Sequence, residues 1–265
     1  MIHEEDARFL NSLRNSMPHA SLLNRRALLA GSAAVLCTKA LHAAAAEPRS
    51  LVLSLADAAQ VTPRNVSVTP ALFNGRSCVE VRLSGDYPGP DRDYFAYVPG
   101  LDMRDGTIEV ELAGAPLPGA PAGARGFTGL AFRIDEAGGS FACEGIYLRP
   151  TNGRADDQVR RNHATQYFSH PGYDFDRLRR DAPARYESYV DVVPAQWTSI
   201  RIDVSGSRAD LFVGDAAQPV LIVTDLKRGA QARGTVGLYV DNGTDGHFPQ
   251  SADYSAMTAT HQFQH

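Results

Sequence analysis

Apolar and polar residues alternate with a period of two along most of this chain, and that pattern limits what it can fold into. Val79-Glu80-Val81-Arg82-Leu83, Ile108-Glu109-Val110-Glu111-Leu112 and Ile200-Arg201-Ile202-Asp203-Val204 each alternate cleanly. Successive strand side chains point to opposite faces, so each run has one face to bury and one to solvate. Arg208–Val213 follows the third run across Ser205-Gly206-Ser207, which reads as a tight polar hairpin. Val220–Val223 and Val236–Val240 are continuously apolar and are expected to be covered on both faces or to lie centrally in a sheet. Turns fall at Pro99-Gly100, Asp105-Gly106, Gly138-Gly139, Asn152-Gly153 and Asn242-Gly243. Two segments break the pattern. Ala113–Arg125, rich in Pro, Gly and Ala, reads as a surface loop, and the charged Asp174–Tyr186 holds at most a short helical turn stopped by Pro183. There is no alternation of strands with amphipathic helices, which argues against Rossmann-like and α/β-barrel folds. The expectation is all-β: a two-sheet antiparallel jelly-roll sandwich.

The first 46 residues read differently. Arg25-Arg26 precede an uncharged stretch, Ala27–Thr38, too short to span a bilayer, and Ala43–Ala46 supply a small-residue cleavage pattern before Glu47. Paired arginines ahead of a mild apolar core, with Lys39 behind it, predict a twin-arginine-type export signal and a periplasmic or secreted protein. Met17 makes a more ordinary start than Met1, and Leu36 is too large for a lipoprotein signal ending at Cys37. Removing residues 1–46 takes away five basic and three acidic residues, which moves the formal net charge from −4 to −6 and leaves 47–265 as one domain. A net negative field excludes a nucleic-acid partner. No later segment is apolar enough to span a membrane. Cys78 and Cys143 remain, either as a disulfide or as two buried thiols on separate strands.

Functional residues concentrate in Glu144–Tyr167. A strand-like Ile146-Tyr147-Leu148 breaks at Pro150 into Thr151-Asn152-Gly153, and a loop almost without apolar residues follows. Its forked guanidinium groups and carboxylates can line a groove for an anionic or polyhydroxylated ligand. The ligand-facing candidates are Tyr147, Arg149, Asn152, Arg154, Gln158, Arg161, Gln166 and Tyr167. Arg160, Arg177, Arg179 and Arg180 add to the crowding, against Asp156, Asp157, Asp174, Asp176 and Asp181, which could instead hold them in surface salt bridges. Glu144 and Glu187, each in a strand-like segment beside tyrosines, would act as acid and base if their strands are neighbours and the carboxylates converge. His163, with His170 seven residues on, is the candidate proton shuttle. A metal site built from His163, His170 and Asp156 or Asp157 matches no closed zinc spacing. Asp241-Asn242-Gly243-Thr244-Asp245-Gly246 has the oxygen-rich look of a calcium loop without the EF-hand order, and Trp197, at a strand start, reads as core.

The order of Asp105-Gly106-Thr107-Ile108-Glu109-Val110, Gly129–Arg133, Trp197–Ile202 and Gly234–Tyr239 resembles a concanavalin A-like lectin/glucanase domain over roughly Leu51–Phe263. Within that group the chain is most similar to laminin-G-like modules and to 3-keto-disaccharide hydrolase-like exported bacterial proteins. The resemblance implies two antiparallel sheets, one concave, with saccharide commonly bound on the concave face, and frequent calcium. The E-x-D-x-x-E string of that fold's glucanases is absent, so their chemistry does not carry over. Three functions fit the sequence: a carbohydrate-binding protein, a glycoside hydrolase or lyase using His163 with Glu144 or Glu187, and a non-catalytic cell-envelope module.

Overall fold

The computed structural model describes the backbone of residues 49–53, 60–250 and 257–261 and the side chains of 60–250; the export-signal reading falls outside these residues. The strands, in order, are β1 Arg49–Leu53, β2 Thr62–Arg64, β3 Val66–Phe73, β4 Arg76–Leu83, β5 Phe95–Tyr97, β6 Gly106–Pro116, β7 Thr128–Ala137 and β8 Ser140–Leu148. They continue as β9 Thr165–His170, β10 Glu187–Ser188, β11 Thr198–Ser205, β12 Arg208–Val213, β13 Leu221–Val223, β14 Thr235–Val240, β15 Thr244–Pro249 and β16 Met257–His261. Two short helices, α1 Gln158–Arg161 and α2 Phe175–Asp181, flank β9. One sheet runs β13-β12-β11-β6-β15-β4-β3, with β16 also on β6 and β1 on β16. The other runs β10-β9-β8-β7-β14-β5-β2, and every named strand pairing is antiparallel. This is the two-sheet jelly-roll sandwich that the alternation predicts. No helix of the described residues is long and apolar enough to cross a membrane.

The alternating runs become the inner face of the first sheet. Ile108, Val110, Leu112, Ile200, Ile202, Val79 and Val81 are buried, while Glu109 and Glu111 point outward. Two glycines let the sheets approach: a Cβ at Gly114 would overlap the Thr128 hydroxyl and the Gly126 carbonyl, and one at Gly246 would press on Val240 Cγ1. Overpacking at such a contact costs about 1–3 kcal/mol. Gly114→Ala is therefore expected to lower the melting temperature by roughly 2–12 °C, at about 2–4 °C per kcal/mol for a domain of this size, measured by calorimetry.

The same contacts show that Thr128 and Val240, and with them Leu130, Ile146 and Leu148, face inward. The other face of the second sheet carries a row of cross-strand neighbours, Tyr239, Gly129, Tyr147, Gln166 and Glu187. Gly129 separates the two tyrosines, whose rings stack over it at 5.6 Å. Helix α2 and the loop bearing Asp91 cover this face, since Asp91 Oδ2 accepts the Phe175 N–H at 2.5 Å.

Three sequence expectations change, and the open alternative for the cysteines is decided. β6 extends through Pro116, so Ala113–Pro116 is strand, because it pairs with Thr244–His247. Val220–Val223 supplies an edge strand with Ile222 45% exposed, while Val236–Val240 is central as expected. Trp197 is only half-buried, edge-on to Phe73 and under the Arg76 guanidinium on the outer surface of the first sheet. Cys78 and Cys143 are free, buried thiols, one in each sheet.

Candidate functional site

The exit from β8 builds the site. Pro150 ends the strand and starts a 3-10 turn, Pro150–Asn152, because it lacks the N–H that a ladder needs. The chain then enters α1, whose first turn is capped by the Asp157 carboxylate on the Val159 and Arg160 N–H groups. This fold-back places the His163 carbonyl where Asn152 Nδ2 (2.9 Å) and Arg149 Nη1 (3.3 Å) both donate to it. The loop before β7, α1 and α2 enclose a pocket of about 330 Å3 lined by Gly123, Arg125, Phe127, Arg149, Asn152, Asp157, Val159, Arg160, His163, Phe175 and Arg179.

Glu187 is the hub beneath it. Its side chain is 2% exposed and accepts from Arg149 Nη1 at 2.9 Å and from both Arg179 Nε (3.0 Å) and Arg179 Nη2. His163 Nε2 lies 3.5 Å from Glu187 Oε2. Burial alone would raise the Glu187 pKa, but the hydrogen bonds and charges of Arg179 and Arg149 hold it below the ordinary carboxylate value. Burial pushes the His163 pKa down, and Arg179 and Arg149 add to this against the pull of Glu187. At neutral pH the pair is a carboxylate holding a neutral imidazole.

Both depressed values stabilise the folded state on the alkaline side. The contribution is full above the unfolded values, roughly 6.5 for histidine and 4.3 for glutamate, and is lost as pH falls through the folded ones. The melting temperature is expected to fall as pH drops from 7 to 4, and Glu187→Gln to flatten the part of that fall below about pH 4.5, measured by thermal unfolding across buffers.

Around this hub the field is positive. Arg160 donates to Asn152 Oδ1 (2.9 Å), the Thr151 carbonyl and the Thr151 hydroxyl. Arg125 donates only to the Ala122 and Ala124 carbonyls. Neither forms an ion pair among the described residues. Burial lowers the Arg125 pKa, and the neighbouring charges of Arg160 and Arg149 lower it further. The Arg149 and Arg179 guanidinium carbons each lie 5.1 Å from the centre of the Phe175 ring.

Of the residues picked from sequence, Arg149, Asn152, His163 and Glu187 converge here. Glu144 does not. It lies three residues from Tyr147 on β8, on the opposite face, and is wholly buried against the Arg228 N–H (2.7 Å), the Tyr167 hydroxyl (3.4 Å) and Arg133 Nη1 (3.8 Å). Glu144 and Glu187 therefore cannot act together on one ligand. Tyr147 and Tyr167 are 1% and 0% exposed, packed on Tyr239 and Tyr186, and offer no ring to a ligand. Gln166 is buried, and its amide donates to the Tyr167 and Tyr186 carbonyls. Arg154 pairs with Asp191, Arg161 lies over Tyr189 and Gln158 donates to Asn162, all outside the pocket lining.

His163 and His170 sit at opposite ends of β9, which rules out a shared metal. The calcium loop also fails. Asp241 is buried and accepts from the Asp91 and Asn242 N–H groups and the Tyr239 hydroxyl, whereas Asp245 pairs with Arg82 on the other sheet. Sequence reading missed Arg125, Phe127 and Phe175 and left Arg179 out of the groove. No local pattern marks them, because Arg125 and Phe127 come from the loop before β7 and Phe175 and Arg179 from helix α2, brought together only by the fold.

No family model and no curated protein matches the chain. Among solved structures it is similar to the carbohydrate binding module CBM66 from Bacillus subtilis (16% identity, TM-score 0.44, 71% of this chain and 94% of that one). It is also similar to a protein with a galectin-like fold from Bacillus subtilis (10%, 0.44, 74% and 88%). A third is the exoplasmic/lumenal domain of VIP36 in a Ca2+/Man3GlcNAc-bound form (13%, 0.41, 82% and 89%). At these levels the fold assignment rests on the sheet order above, and the site rests on its own side chains. Together these define an antiparallel β-sandwich protein with an arginine-walled pocket over one sheet.

Proposed function

We propose that this is an exported protein that binds an acidic saccharide in the pocket over β8 and β9. The observation that carries this is the pair Arg125 and Arg160, two guanidinium groups with no carboxylate partner beside the already paired Arg149 and Arg179. Guanidinium forks suit carboxylate oxygens, the His163 imidazole suits a hydroxyl, and the Phe127 and Phe175 rings offer apolar faces, while Asn152 holds Arg160 in place. The pocket volume lies in the range of small-ligand sites.

A second reading rests on the His163–Glu187 contact. With Nε2 turned to the carboxylate, Nδ1 of the neutral imidazole is free to accept a proton. Beside a carboxylate neutralised by the arginines, it would take the proton from the adjacent carbon. That electron pair forms a carbon–carbon double bond as the glycosidic C–O bond breaks, and the imidazolium so formed gives its proton to the departing oxygen, which restores the neutral imidazole. A glycosidase working by two carboxylates is not supported, because Glu144 faces the other way and Glu187 is held ionised by two arginines.

Screening uronate-containing and neutral oligosaccharides by thermal shift and product analysis tests both readings. Stabilisation by the acidic set without products supports binding alone. A new ultraviolet-absorbing double bond, lost in His163→Ala, supports elimination. Stabilisation by neutral sugars only would refute the proposal.

A further inference from the structure

A second polar cluster lies on the far side of the molecule, on the outer surface of the first sheet. Glu80 on β4 and His247 on β15 are cross-strand partners, and Asp245, two residues before His247, shares their face. One ligand atom from each lies within 4.8 Å of the other two. His247 Nε2 is 3.8 Å from Asp245 Oδ1 and 4.0 Å from Glu80 Oε1. The His247 side chain is 5% exposed, its Nδ1 is buried without a partner, and the ring makes no hydrogen bond among the described residues. The Phe73 ring stacks flat on it at 3.9 Å and fixes its plane. A buried imidazole held in place and aimed between two carboxylates, yet bonded to nothing, is an arrangement that a metal would complete.

We propose that Glu80, Asp245 and His247 form a binding site for a divalent transition metal of the zinc class. One imidazole nitrogen and two carboxylate oxygens are the donors that such ions take, and three protein ligands leave a position for water. Tetrahedral coordination at about 2.0–2.2 Å puts ligand atoms roughly 3.4 Å apart. The spacings to Nε2 therefore need to close by about 0.4 and 0.6 Å, and the two carboxylate oxygens, within 4.8 Å of each other, by at most about 1.4 Å. A cation already sits between the two carboxylates. Arg82 Nη2 is 2.7 Å from Glu80 Oε1 and 2.9 Å from Asp245 Oδ1. Arg82 is 39% exposed, so its surface ion pairs are weak and its guanidinium is free to swing into solvent when a metal arrives. Thr69 Oγ1, 3.5 Å from Glu80 Oε2, orients the outer carboxylate oxygen.

Titrating the untagged full chain with Co2+, whose visible absorption reports coordination number, tests this directly. The expected result is a saturable band that Zn2+ abolishes and whose affinity falls at least tenfold in Glu80→Gln and His247→Ala. Arg82→Gln is expected to tighten binding several-fold by removing the competing cation. Because His247 is buried and its replacement risks disturbing the fold, the near-isosteric Glu80→Gln and the gain in Arg82→Gln carry the test independently. No band at millimolar Co2+, or a band unchanged in Glu80→Gln and Arg82→Gln, would overturn the proposal.

Discussion

Replacing Glu187 with alanine is expected to destabilise the fold by about 3–5 kcal/mol, the usual cost of removing one partner from a buried ion pair. That corresponds to a fall in melting temperature of roughly 6–20 °C for a domain of this size. Glu187 accepts from Arg149, itself buried, and from Arg179, and it steadies His163 at 3.5 Å. Without it two cations face each other across the pocket floor. Glu187→Gln keeps the shape and removes the charge, so it is expected to lose most of the same stability. Urea unfolding of both variants checks this. If Glu187→Gln unfolds at the wild-type midpoint, charge compensation is not what Glu187 supplies.

Arg133→Ala is expected to be as severe, at about 3–5 kcal/mol, through a different part of the sandwich. A β-bulge shifts the β7–β8 register between Phe132 and Asp135, and Arg133 sits in it with φ 50°. That left-handed conformation is unusual for a residue with a side chain, and bulges of this kind re-aim one. Here the guanidinium, wholly buried, donates to the carbonyls of Arg104 (2.8 Å), Gly206 (2.7 Å) and Gly229 (3.2 Å) and lies 3.8 Å from Glu144. Alanine leaves three carbonyls without that donor and the Glu144 carboxyl without its buried countercharge. Arg133→Gly relieves the backbone strain and is still expected to be strongly destabilised, since the lost donors outweigh about 1 kcal/mol of relief. A glycine variant as stable as wild type in urea would show that backbone conformation, not the guanidinium network, governs this position.

The strands were legible because alternation reports one buried and one solvated face. Which face a residue takes was legible only where one face stays wet, as in β6 and β11. It was not legible in β8, where six consecutive residues from Cys143 to Leu148 are buried. Glu144 and Tyr147 read there as ligand groups, although one lies between the sheets and the other lies under α2 and the Asp91 loop. The bulge at Arg133 and the edge position of β13 depend on pairing that a single strand does not encode. For the site, the polar run around His163 was visible because so many hydrogen-bonding groups on one loop have no core to serve. Arg125 and Arg179 were not, because one ends a Pro/Gly-rich loop, the other lies on a short helix, and only tertiary folding brings both to the pocket.

The most direct measurement is a calorimetric titration of a short uronate oligosaccharide and its neutral counterpart against wild type, Arg125→Ala and Arg160→Ala. The arginine-walled pocket should bind the acidic sugar, weaken with added salt, and lose about tenfold or more in affinity in either variant, as expected for a charge-assisted contact of about 1.5–3 kcal/mol. Equal affinity for the neutral sugar, or acidic-sugar binding untouched by both substitutions, would contradict the assignment of this pocket.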